Sequence, residues 1–305
     1  MRILITGGTG MVGSALRDVT HQATFVSSKQ YDLRDPVVVD QMFSRHNPDC
    51  VIHLAAKVGG IKANMDNLGD FYLENTLINT NVLEAARKFN VEKVLSLLST
   101  CVYPNSALYP LTENQIHDGP PHESNFAYAY AKRMLDVQSR AYRKQYGCNF
   151  ITAVPNNLFG ENDNFDLEDS HVIPAMIRKF HEADLNGEDV HLWGDGTPLR
   201  EFTYSKDLAN ILMFLAKEYS GERPINVGNT EEHSIKQVAE MIAKIMRYDG
   251  NIVWQADKPK GQHRKPSDNS RFRAICDVRY TDFEQALTNT CEWFIMNYPK
   301  VRGVN

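Results

Sequence analysis

Tyr128 and Lys132 stand four residues apart in Tyr128-Ala129-Tyr130-Ala131-Lys132, so on a helix they share one face. An ammonium beside a phenol favours the phenolate and draws the tyrosine pKa toward neutral pH, which suits a group that exchanges a proton with a reacting oxygen. The lysine can also hold ribose hydroxyls. By itself the spacing is equally that of a surface pair. It gains meaning from Leu98-Ser99-Thr100-Cys101-Val102-Tyr103-Pro104, which ends the apolar stretch 93–98. A serine at that strand end, together with Tyr128 and Lys132, can hydrogen-bond a carbonyl and protonate the alkoxide that hydride addition creates.

Hydride chemistry needs a dinucleotide, and Gly7-Gly8-Thr9-Gly10-Met11-Val12-Gly13 offers a place for one. The loop follows a buried strand over 2–6 and opens a helix near Met11. In that context glycines allow a tight turn and close approach to a pyrophosphate, whose charge meets the helix N-terminus. An acid at the end of the second strand would select NAD. Val26-Ser27-Ser28-Lys29 has none. Two hydroxyls and a cation suit a 2′-phosphate, so Ser27, Ser28 and Lys29 predict NADP(H), whereas a merely solvated Lys29 would leave the preference open. Asp32 comes too late for the ribose and reads as lying near the adenine.

These residues must be positioned by a scaffold. Strands are expected over 24–27, 50–54, 93–98 and 150–154, separated by helices over 36–45, 70–89 and 124–145. Apolar strands alternating with helices predict an α/β fold with a doubly wound parallel sheet, and ligands bind beyond the carboxyl ends of its strands. After Pro155 the rhythm breaks into a polar loop over 156–170, with further helices over 172–183, 207–217, 234–246 and 282–297 and a short strand near 190–192. We expect a Rossmann-type cofactor domain over 1–155, completed by part of 185–230, and a smaller substrate lobe mainly over 156–305, interleaved with the first.

Composition narrows the function. A formal charge of −5 argues against a nucleic-acid binder. Five cysteines, odd in number and without a CxxC pair, suggest reduced thiols in a cytoplasmic protein and no metal site. Met1-Arg2 leads directly into a strand, so no signal peptide is expected, and no apolar run reaches membrane-span length.

The chain resembles the extended short-chain dehydrogenase/reductase family, specifically its nucleotide-sugar enzymes. The likeness runs through the glycine loop, His53-Leu54-Ala55-Ala56, 79–86, the Ser99 strand end, Tyr128 to Lys132, 200–207 and 225–228. Within the family, HLAAKVGG (53–60), STCVYP (99–104), Asp163-Asn164-Phe165, Ser170-His171-Val172-Ile173-Pro174 and WGDGTP (193–198) resemble one branch. Its members epimerise C3 and C5 and then reduce C4 of GDP-4-keto-6-deoxy-D-mannose with NADPH. The resemblance implies that Tyr128 protonates the C4 oxygen, Lys132 holds the ribose and Ser99 polarises the ketone. It implies Cys101 as base and His171 as acid for epimerisation, where the C4 ketone acidifies both neighbouring carbons. It adds Leu97, Leu98, Pro155, Asn156, Asn157, Leu158 and His171 to the cofactor site, and Lys179, Trp193, Arg200 and Lys265 to the GDP-sugar site. A homodimer built on the helices over 70–89 and 124–145 is implied as well.

Three departures stand out. Lys258-Pro259-Lys260-Gly261 replaces the usual Lys-x-Asp-Gly, Asn156 replaces a threonine, and Thr9 occupies a position that is basic in some members. A 2′-phosphate contact must then come from Ser27, Ser28 or Lys29. Two other functions compete. A 4,6-dehydratase would carry an acid pair after the Ser/Thr, where this chain has Cys101-Val102, and a 4-epimerase would show no net NADPH oxidation. A non-catalytic NADPH-binding regulator has no use for Tyr128, Lys132, Cys101 and His171 together.

Overall fold

The computed structural model describes residues 1–258 and 263–304. Four-residue runs form the buried strands β1 (Ile3–Thr6) and β3 (Cys50–His53) and the half-exposed strand β2 (Ala23–Val26), joined by helices α1 (Met11–Val19) and α2 (Pro36–His46). Asp35 caps α2 by accepting from Val37 N, and Pro36 opens it with a pre-set φ. A short helix, α3 (Ile61–Asp66), precedes the long α4 (Leu68–Lys88), β4 (Lys93–Leu97), α5 (Phe126–Tyr146) and β5 (Phe150–Val154). The expected start of α5 at 124 is a 3₁₀ turn, Glu123–Asn125. The polar loop over 156–170 contains a strand, β6 (Asn157–Phe159). The chain continues through α6 (Val172–Asn186), β7 (Val190–Trp193), β8 (Leu199–Tyr204), α7 (Ser205–Glu218), β9 (Ile225–Asn226), β10 (Glu232–Ser234), α8 (Ile235–Met246), β11 (Ile252–Gln255), α9 (Ser270–Arg273) and α10 (Phe283–Asn297).

The main sheet is parallel and six-stranded, in the order β2-β1-β3-β4-β5-β9. One face packs on α2, α4 and α5 through Val39, Phe43, Leu83 and Leu135. The other packs on α1 and α7 through Leu16, Leu208 and Leu212. The strand order reverses direction between β1 and β3, and the crevice beyond the carboxyl ends of these central strands is where such sheets take ligands. A third core, with Phe159, Phe165, Ile177, Phe180 and Phe294, joins α6, α8 and α10 to the small sheets β10-β8-β6 and β11-β7.

A buried polar line ties the main sheet to α5. Thr6 Oγ1 and His53 Nδ1 share a 2.8 Å hydrogen bond, His53 Nε2 donates to Asn79 Oδ1 at 3.1 Å, and Asn79 Nδ2 donates to the Ala131 carbonyl at 3.2 Å. Burial pushes the His53 imidazole down to about 3, so it stays neutral and each ring nitrogen keeps one role. The carbonyl it reaches through Asn79 lies one residue before Lys132, so this line helps set the height of α5 against the strand ends.

Candidate active site

The glycine turn has the geometry of a phosphate cradle. Gly7 takes φ +69°, which a side chain would resist, and Gly8 N donates to Val26 O at 2.8 Å. A Cβ on Gly13 would lie 2.6 Å from the Gly7 oxygen, whereas one on Gly10 would meet only that oxygen, at 3.4 Å. Gly13 therefore fixes the helix against the turn, and Gly10 faces open space. No side chain caps α1, which leaves the N–H groups of its first turn, at Met11 and Val12, for an anion. Ser27 bonds Gln30 Oε1 through N and Oγ, at 3.0 and 3.2 Å, while Lys29 is exposed and has no ion pair among the described residues.

No local sequence pattern singles out Arg17, two helical turns into α1. Its Nε donates to Gly8 O at 3.3 Å and its guanidinium lies 4.1 Å over the Phe25 ring. The two terminal nitrogens have no hydrogen-bond partner among the described residues. Only the fold shows this, because α1 side chains lean back toward the helix N-terminus.

Ser99, Cys101, Tyr128 and Lys132 converge at the end of β4. Lys132, 3% exposed, donates from Nζ to Leu97 O at 2.9 Å, and the same nitrogen is 5.9 Å from the Tyr128 ring centre. Phe71 meets the Tyr128 ring edge-on at 6.2 Å. Ser99 Oγ accepts from Cys101 N at 3.4 Å and so caps the 3₁₀ turn Thr100–Val102. Buried Arg133 holds that turn in place, donating from Nε to Val102 O at 2.6 Å and from Nη1 to Gly119 O at 2.8 Å. Sequence reasoning passed over Arg133 because its partners are backbone atoms of distant loops.

The electrostatics correct one expectation. Burial pushes the Tyr128 phenol well above its usual value, and Cys101 adds in the same direction. Lys132 does not draw it toward neutrality. Burial also lowers Lys132 to about 8, with Cys101 partly offsetting. The site thus holds a protonated phenol, the form a proton donor requires. The Cys101 thiol, 8% exposed, is likewise raised by burial, against the opposing pull of a Ser99 hydrogen bond and the cations Lys265, Lys132 and Arg133.

His171 arrives on another arm, at the residue before α6. Gly60 N donates to Asp169 O at 2.9 Å, and a Cβ on Gly60 would lie 2.8 Å from Ser170 O. The Gly59-Gly60 pair therefore permits the close approach that places His171. The imidazole is open to solvent yet crowded enough that desolvation lowers its pKa, with Arg302 adding to the effect, as expected for a group in a recess. No hydrogen bond joins it to Cys101 or Tyr128 among the described residues.

Pro155 and Asn156 follow β5 directly, and Asn157 and Leu158 open β6. On the other side, Lys265 faces Cys101 and Arg200 electrostatically, and burial lowers both cations. Neither has an ion pair among the described residues. Lys179 Nζ donates to His191 O at 2.9 Å, and Trp193, 48% exposed, sits on the same exposed face of β7 as His191. Lys258 is exposed, and Lys260 lies outside the described residues. Among the described residues no cluster of His, Cys, Asp or Glu could hold a metal ion, and no helix is long and apolar enough to cross a membrane.

Sheet order, glycine turn and the Ser-Tyr-Lys group define a dinucleotide-binding enzyme of the epimerase/dehydratase kind. The chain belongs to the NAD dependent epimerase/dehydratase family, whose model matches residues 3–228. It is 40% identical to the GDP-L-fucose synthase of Dictyostelium discoideum over 98% of this chain and 97% of that one. It is 38% identical to the GDP-L-fucose synthase of Escherichia coli (strain K12), over 99% of each. A solved GDP-L-fucose synthetase from Naegleria fowleri bound to NADP superposes with a TM-score of 0.94, at 42% identity, over 99% of this chain and 94% of that one.

Proposed function

We propose that this protein converts GDP-4-keto-6-deoxy-D-mannose to GDP-L-fucose, by epimerisation at C3 and C5 and then reduction at C4 with NADPH. The observation that carries this reading is the placement of Cys101. It shares one buried site with Ser99, Tyr128 and Lys132, under the field of Lys265. A plain reductase needs the serine, tyrosine and lysine and has no use for a thiol among them.

The residues present fit a dinucleotide. The open face at Gly10 and the uncapped first turn of α1 suit its pyrophosphate, and Lys132 Nζ, bonded once to Leu97 O, keeps two donors for a ribose. Ser27, Ser28, Lys29 and the free end of Arg17 supply donors and charge for a 2′-phosphate. Leu97, Leu98 and 155–158 floor the nicotinamide end. When bound, the reduced nicotinamide supplies the hydride for C4.

The protein's own groups do the rest. Arg200 and Lys265 neutralise the diphosphate, Lys179 and Trp193 hold the guanosine end, and Ser99 polarises the C4 ketone. Cys101 removes the protons at C3 and C5, at a cost that Ser99 and three cations reduce, and His171 returns protons from its recess. Tyr128 then gives its proton to the C4 oxygen, while Lys132 holds the cofactor ribose beside it. The purified protein is expected to oxidise NADPH, and NADH far more slowly, when mixed with this keto sugar. NADPH binding with no turnover of any keto sugar would sink the enzymatic reading.

Two further assignments belong to this reading. Tyr72, Leu73, Tyr130, Met134 and Val137 leave an exposed apolar face on α4 and α5, with a groove of about 410 Å³ between them. We take this face as the contact of a homodimer, four helices packed across a two-fold axis. Light scattering should give twice the 34.7 kDa chain mass, and a monomer at micromolar concentration would refute it. All five cysteines are free, which supports a reducing, cytoplasmic setting.

A further inference from the structure

Glu201 takes no part in the chemistry above, yet it is only 2% exposed and no cation pairs with it among the described residues. Burying a carboxylate this way is costly unless donors satisfy it. Three do. Oε1 accepts from Ser267 N at 2.8 Å, and Oε2 accepts from Ser267 Oγ at 2.6 Å and from Asn156 Nδ2 at 3.2 Å. The Glu201 carbonyl accepts from Asn157 Nδ2 at 2.8 Å. The donors come from two separate stretches of chain, one flooring the nicotinamide end and one carrying Lys265.

Both stretches are otherwise firmly held. Asn156 Nδ2 also donates to Asn229 O at 2.6 Å, and its Oδ1 accepts from Thr203 Oγ1 at 2.6 Å. Gly228 packs so closely on that amide that a Cβ there would lie 2.2 Å from Nδ2. On the other side, Leu111 N donates to Pro266 O at 2.8 Å and Asp268 N to Leu111 O at 3.0 Å, which fixes the backbone next to Lys265. Glu201 is a direct side-chain link between these two held units, beside the Asn269 Nδ2 bond to Gly228 O at 2.8 Å, and it is the one that reaches Asn156 itself. Its chemistry matters as well as its place. A carboxylate only accepts, so both oxygens can face donors. An amide of the same shape would point an NH₂ group at Ser267 N or at Asn156 Nδ2, and one side of the link would open.

We propose that Glu201 is a positioning residue that couples the two ligand subsites, registering the Lys265 segment against the Asn156 loop so that a bound dinucleotide raises affinity for the GDP moiety, and the reverse. This rests on the reading that 155–158 meets the nicotinamide end and Lys265 the diphosphate. Coupling is reciprocal and is measured as a ratio of dissociation constants.

Titration calorimetry of the full-length protein with GDP, in the absence and presence of saturating NADP⁺, tests it. The unaltered protein should bind GDP about fivefold or more tightly with NADP⁺ present, the lower end of typical coupling. Glu201→Gln should bring that ratio close to one. Ser267→Ala, which removes only the hydroxyl donor, should give an intermediate ratio and decides the matter if Glu201→Gln does not fold. A merely structural role would weaken both ligands and leave the ratio intact, and that result, or a ratio of one in the unaltered protein, overturns the proposal. Failure of the unaltered protein to bind GDP and NADP⁺ at all would instead refute the functional reading beneath it.

Discussion

Phenylalanine in place of Tyr128 is expected to lower kcat for NADPH oxidation by about 100- to 10,000-fold, the usual worth of a positioned general acid. The substitution removes one hydroxyl from a ring packed on Phe71, so the fold should persist. Proton exchange at C3 and C5 should also persist, because Tyr128 acts only at the C4 oxygen. The pH profile follows from two shifts of opposite sign. Burial raises Tyr128, so the phenol keeps its proton through neutral pH. Burial lowers Lys132 to about 8, so its ammonium is lost as pH rises through that value. The rate should therefore fall on the alkaline side near pH 8, through loss of the ammonium that holds the cofactor ribose. Stopped-flow absorbance of NADPH measures both, and a Phe variant within tenfold of the original rate would remove Tyr128 from the reaction.

The second large effect separates the two activities. With Cys101→Ser in deuterated water, deuterium entry at C3 and C5 should drop by about 100-fold or more, because a serine hydroxyl is a far poorer base than a thiolate. Direct reduction of the unepimerised ketone should continue, since Ser99, Tyr128 and Lys132 remain. Mass spectrometry of the product reads deuterium content, and NADPH absorbance reads reduction. Undiminished deuterium would take Cys101 out of epimerisation. The protonated resting state of this buried thiol implies that the Ser99 hydrogen bond and the nearby cations matter to the exchange rate.

Much of this was legible from residue order. The glycine spacing, the strand-end Ser99 and the four-residue Tyr–Lys separation are local patterns, and local patterns survive translation into structure. The long helices appeared within a few residues of expectation for the same reason. What was missed depends on distant segments meeting. β9 is a dipeptide with no periodicity to detect, and β6 hides in a polar loop because its partner, β8, begins forty residues later. Arg17 and Arg133 acquire meaning only from backbone oxygens that tertiary folding brings to them. The direction of the Tyr128 shift also escaped, since a charge four residues away is visible in a sequence and desolvation is not.

The short strand β9 carries a consequence for how the chain is made. β5 finds its outer neighbour only when Ile225 and Asn226 arrive, after the whole of 155–224 has been laid down. During synthesis, which adds roughly 5–20 residues each second, the β5 margin of the nascent sheet stays wholly unpaired for several seconds. Unpaired strand margins invite pairing with other chains. The protein therefore passes through a stage in which aggregation competes with completion, and in which a chaperone would find most to hold.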